Sequence, residues 1–174
     1  TGFGGLSLHR TGELRARVSP SAPEFGVSLG NRARASQPEI FFGGPEAVPA
    51  LAPLLADEKL ASWARIPLEV IPVAAADDAL RYALNRLQGN LLVGVINSIG
   101  VRGDPKAVEP LVGRLKDADA EVASAAAVAL GRIGGAPALG ALESSLATAP
   151  GRVRSAVAEG LIVSAERSVA SGQA

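Results

Sequence analysis

From residue 43 onward, apolar positions recur at i, i+3, i+4 and i+7, the period of a helix that is buried on one side. Ala107, Val108, Leu111, Val112 and Leu115 form one such stripe, and Val122, Ala126, Ala129, Leu130 and Ile133 form the next. The polar stretch "KDADAE" (116–121) separates them. Asp119 is placed to cap the second stripe's helix through its side-chain oxygen. "GRIGG" (131–135) closes that helix, since glycine enters the left-handed conformation at little cost. The pattern predicts a helix, a short turn and a second helix.

The same unit returns along the chain. "PEAVPALAPLL" (45–55) is echoed by "PKAVEPLVGRL" (105–115), and the weaker "ADDALRYALNRL" (76–87) lies between them. Leu51/Leu55 recurs as Leu80/Leu84, Leu111/Leu115 and Leu142/Leu146. In the second halves, Leu68, Ile99, Leu130 and Leu161 are spaced by 31, as are Ala64, Val95, Ala126 and Val157. One helix pair cannot bury its stripe alone, whereas stacked pairs share a continuous core. The expected fold is all-α: a right-handed α-solenoid of about four helix–turn–helix units with a period of about 30 residues. The units are expected over 44–71, 76–102, 104–134 and 136–167. A short tail covers 168–174.

The residues that carry this period resemble a known family. "DADAEVASAAAVALGRIGG" (117–135) and "PGRVRSAVAEGL" (150–161), with its Val-Arg pair, are similar to the second helix of a HEAT-like repeat, and "AVPALAPLL" (47–55) to the first. The likeness is to the short, Ala-rich bacterial HEAT-like repeats, also seen in phycobilisome lyase-type proteins. It implies a scaffold whose inner face, lined by second helices, binds a protein or peptide partner or another domain of a longer parent chain. It also implies that Arg154 ties adjacent repeats together. Three features depart from the pattern: Pro67 inside a second helix, expected to distort the first unit; Ala123 where the arginine would stand; and "VAAADD" (73–78) in place of a proline start.

Residues 1–42 share none of the period and are rich in Gly, Ser, Pro and Arg. Two readings stand for them: an irregular tail or linker, or translation in another frame joined to the repeats. No polar capping unit precedes Gly43, and the chain contains no Met and begins with Thr. Both features point to a processed product or a piece of a longer protein.

Composition narrows the chemistry. Hydrophobic residues make up 48% of the chain but aromatic ones only 3%, which suits helices packed through small side chains. Lys plus Arg and Asp plus Glu both number 17, so no basic surplus points to nucleic acid. No apolar run reaches membrane-spanning length. There is no Cys, and the single His, His9, precedes the repeats. Cys/His catalysis and soft-metal sites are therefore not expected, nor the His-Glu iron ligation of HEAT-like deoxyhypusine hydroxylases. The carboxylate pairs Asp57/Glu58, Asp77/Asp78 and Asp117/Asp119 read as N-terminal helix caps rather than as acid–base pairs. The expectation is a non-enzymatic interaction scaffold with no cofactor and no metal. The alternative that the resemblance implies is an accessory or lyase-like role in bilin attachment.

Candidate contact residues are the polar and large groups on the second helices: Ser62, Trp63, Arg65, Asn97, Arg132, Arg154 and Glu159. Trp63, the sole tryptophan, aligns with Gly94, Ala125 and Ala156. That alignment makes it either an edge contact at the end of the stack or an anchor for a partner.

Overall fold

The computed structural model describes the backbone of residues 6–8, 13–16 and 25–28, and residues 44–170 and 172. Among the described residues, eight α-helices alternate as four pairs. α1 (Val48–Leu51) is paired with α2 (Ala61–Val70), and α3 (Ala74–Leu84) with α4 (Gly89–Arg102). α5 (Val108–Arg114) is paired with α6 (Ala120–Ile133), and α7 (Ala136–Leu146) with α8 (Gly151–Ala170). The pairs stack into an α-solenoid with one continuous core. Leu51, Leu80, Leu111 and Leu142 of the first helices meet Leu68, Ile99 and Leu130 of the second, all at most 2% exposed.

The local signals act as their chemistry requires. Asp119 Oδ1 accepts the Glu121 N–H at the start of α6, and Gly134 ends that helix at φ 72°. Gly103 ends α4 in the left-handed region. Asp57 accepts two backbone N–H groups ahead of α2. Asp77 and Asp78 differ from the expected turn caps. They lie within α3, which begins at Ala74, and pair with Arg102 and Arg81.

The first pair is distorted in its first helix. Pro45, Pro49 and Pro53 stand four apart, so two donors of the i→i−4 ladder are missing. The backbone tightens to 3-10 turns over Pro45–Ala47 and Ala52–Ala56, leaving one α-turn between them. Pro67 sits buried inside α2, which nonetheless runs on to Val70. At the other end α8 continues to Ala170, past the expected limit at 167, because no glycine or proline stands between Arg167 and Gly172.

Most of residues 1–42 lie outside the described residues. Within them, strands β1 (Leu6–Leu8), β2 (Glu13–Ala16) and β3 (Phe25–Ser28) form an antiparallel meander. Its register pairs Leu6 with Ala16, Leu8 with Leu14, Leu14 with Val27 and Ala16 with Phe25. An apolar alternation of three or four residues per strand becomes legible only once the strands are paired.

The second helices pack on one another from pair to pair, while α3 and α5 barely touch. The closer layer has the shorter path, so the stack bends around α2, α4, α6 and α8. Small residues permit that closeness. A Cβ on Gly131 would stand 2.3 Å from the Gly160 carbonyl oxygen, and one on Gly160 would stand 2.5 Å from that of Ala127. At the equivalent crossing of α4 and α6, a Cβ on Gly100 would meet the Ala129 Cα at 3.0 Å. Between α2 and α4 the same rung is Glu69 and Ser98, joined by a 2.6 Å hydrogen bond from the hydroxyl. The stack thus changes from backbone contact at its C-terminal end to a side-chain bridge at its N-terminal end.

Two outcomes follow for stability. Gly131→Ala must push α8 off α6 and should cost about 3 kcal/mol, whereas Gly140→Ala in α7, with open space around it, should add about 0.5–1 kcal/mol; urea denaturation of both variants checks the contrast. Asp117 titrates below its ordinary range, held there by the Asp119 backbone N–H and then by Arg114, against its own desolvation. Its stabilisation should be complete above about pH 4 and vanish as pH falls through the lowered native value. Asp117→Asn should remove that part of the acid dependence in a pH series of urea midpoints.

Candidate interaction face

Each second helix turns one stripe to the core, one to each neighbour and one outward. The 31-residue period makes the outward stripes into rows. One row is Ser62, Val93, Ser124, Ser155; the next is Ile66, Asn97, Val128, Glu159; a third is Val70, Val101, Arg132, Val163. Much of this surface is apolar. Ile66 is 44% exposed, Val70 58% and Val101 55%, and Trp63 beside them is 75% exposed. Trp63, Ile66 and Val70 follow the i, i+3, i+7 spacing and so share one side of α2.

Within these rows the candidate residues separate into two groups. Ser62, Asn97, Arg132 and Glu159 all lie on the outward face, and Trp63 stands at its edge. Trp63 occupies the position that in later pairs packs on the preceding second helix, and among the described residues no second helix precedes α2. Arg65 and Arg154 do not join the face. Arg65 turns into the α2/α4 contact, donating from Nη1 to the Gly94 carbonyl at 3.0 Å and the Ser98 hydroxyl at 3.2 Å. Arg154 donates from Nε to the Ala149 carbonyl in the turn before its own helix, so it does not bridge repeats. The serine row is not a ladder. Ser155 bonds back to Gly151, and the Ser124 hydroxyl is buried without a partner.

Other arginines make the bridges, and the sequence reading missed them. Arg102 is 9% exposed and lies beneath the C-terminus of α2. Its Nη1 donates to the carbonyls of Leu68 at 2.6 Å, Ile71 at 2.8 Å and Glu69 at 3.3 Å, and its Nη2 to Val73 and Asp77. The last carbonyls of a helix have no partner within it, and the guanidinium fork reaches several at once. Arg114 does the same for Leu84 at the end of α3, and Arg167 for Arg132 at the end of α6. Arg81 pairs with Asp104 of the next unit, and Arg152 with Glu121 of the preceding one. A rule follows from these contacts: an arginine one pair onward closes the helix end of the pair before it.

Among the described residues, no three His, Cys, Asp or Glu side chains come together in a way that could hold a metal ion. His9 lies outside the described residues. Also among the described residues, no helix is long and apolar enough to cross a membrane.

Comparison places this architecture. Residues 78–162 match the family of HEAT repeats. Over those residues the solenoid carries the HEAT-like repeat pattern. A solved structure of human deoxyhypusine hydroxylase in complex with glycerol shares the fold at a TM-score of 0.62 and 22% identity, covering 79% of this chain. The chain spans about half the length of that hydroxylase, 51%. No curated protein matches the sequence. The likeness to the hydroxylase is one of helical repeat architecture.

The HEAT arginines generate a prediction. Arg102→Met should cost about 3 kcal/mol, since it strips partners from a carboxylate and several buried carbonyls. Amide exchange should quicken in α1 and α2 while α6 and α8 keep their protection, as expected where each repeat touches only its neighbours. Arg102→Lys should rescue little, because a single ammonium cannot span the same carbonyls.

Proposed function

We propose that the protein is a non-catalytic scaffold whose second-helix face binds a segment of a partner protein or a neighbouring domain of a longer chain. The observation that carries this reading is the exposed apolar row. Val70 and Val101, with Ile66 and Trp63 beside them, stay open to solvent in a stack whose interior is otherwise filled by Ala, Leu, Val and Ile. A contiguous apolar patch of this kind on a folded surface marks an interaction site. The stack fixes the patch in place, so a partner meets a preformed surface and binding costs little ordering. The residues on the face suit contact rather than turnover, because serines with no histidine beside them have no base to activate them. Equal numbers of basic and acidic residues supply no field to gather nucleic acid.

Site-specific photo-cross-linking in the cell of origin tests the reading. A benzoylphenylalanine at position 101 should give discrete adducts, whereas one at Glu109 or Glu143, exposed on first helices, should give few. Ile66→Glu should abolish the adducts formed at position 101 while leaving helicity unchanged and shifting the urea midpoint little, since nearly half of its surface already meets water. Equal labelling at 101, 109 and 143 would remove the assignment.

A further inference from the structure

We infer that the occupant of this face is an amphipathic α-helix that lies across the second helices and sets a carboxylate against Arg132. This inference rests on the interaction reading above and names the partner's chemistry. The first support is the state of Arg132. Of the arginines whose side chains are described, Arg132 alone has no hydrogen bond, ion pair or ring contact for its guanidinium. Arg81, Arg102, Arg114 and Arg152 are ion-paired, Arg65, Arg154 and Arg167 cap carbonyls, and Arg86 lies over the Tyr82 ring. The chain uses its other described arginines internally and leaves this one exposed on the face.

The second support is where that cation lies. Gly100 has no side chain, and the space is taken by the stem of Arg132. A Cβ on Gly100 would sit 3.5 Å from the Arg132 Cδ. The stem of Arg132 therefore lies against α4. The row accordingly reads Val70, Val101, then a free guanidinium, two apolar contacts followed by one for an anion.

The third support is spacing. Packed helices lie about 8–10 Å apart. A helix rises 1.5 Å per residue, so a partner helix running straight across the stack advances about five to seven residues per repeat, and one inclined to it reaches seven. Residues seven apart return to the same side of a helix, so one side of an inclined helix can meet Val70, Val101 and Arg132 in turn. An extended segment covers the same step in about two to three residues. Its side chains alternate, so a three-residue step would turn opposite sides to successive repeats. The row therefore favours a helix with apolar residues at i and i+7 and an Asp or Glu at i+14.

The test uses the full chain and synthetic helical peptides of about three heptads. These carry leucine at i and i+7 and glutamate at i+14, on an alanine and glutamine background. Trp63 is the only tryptophan and borders the row, so a blue shift of its emission reports occupancy, and labelled-peptide anisotropy gives the affinity. The glutamate peptide should bind at least tenfold more tightly than the same peptide with lysine at i+14. Arg132→Glu should reverse that preference, which loss of folding cannot do. Equal binding of both peptides would overturn the carboxylate contact while leaving the interaction reading intact. Preference for a proline-rich extended peptide of like composition would overturn the helix. Binding of phosphatidylserine vesicles lost in Arg132→Glu, with no peptide bound, would assign the arginine to a lipid surface and overturn the inference. If no peptide binds, the inference falls, and the cross-linking pattern at 101 decides the broader reading separately.

Discussion

The close crossing of α6 and α8 at Gly131 and Gly160 sets the terms for the rest of the stack. Where no Cβ intervenes, two helix backbones meet directly, and the second-helix layer becomes shorter than the first-helix layer. Curvature, the identity of the inner face and the rows displayed on it all follow from that difference. The crossing loosens toward the N-terminus, through Gly100 against Ala129, to a hydrogen bond between Glu69 and Ser98. The first pair, with its proline-interrupted helix, is held by polar side chains where the last is held by backbone contact.

Arginine supplies what small residues cannot. A core of Ala, Val, Leu and Ile fills space but leaves the final carbonyls of each helix without donors. Arg102, Arg114 and Arg167 each reach back one pair to supply them. Neighbouring pairs are thereby joined twice, by apolar contact along their length and by a charged donor at their ends. Between these fixings the second helices display their outward rows of side chains.

Among the described residues, no three His, Cys, Asp or Glu side chains come together in a way that could hold a metal ion. The outward face displays rows of regular pitch, one of which runs Val70, Val101, Arg132 and Val163. Their pitch comes directly from the repeat.

The repeat, its helix pairs, the Asp119 cap and the glycine stop at Gly134 were legible in the sequence, because each depends on residues within a few positions of one another. So was the layer that forms the outward face, since a 31-residue period aligns equivalent positions. The roles of individual arginines were not legible. Arg65 and Ile66 are adjacent in sequence, yet one enters the α2/α4 contact and the other meets solvent, because the helix crossing fixes which side of α2 is covered. Arg154, matched by motif, serves its own turn, while Arg102, outside any motif, holds two repeats together. The strands near the N-terminus were hidden for a similar reason, their alternation being too short to register before pairing. Local sequence set the helices and their order; which long side chains were spent inside the stack, and which one was left free, depended on distances that exist only once the pairs are packed.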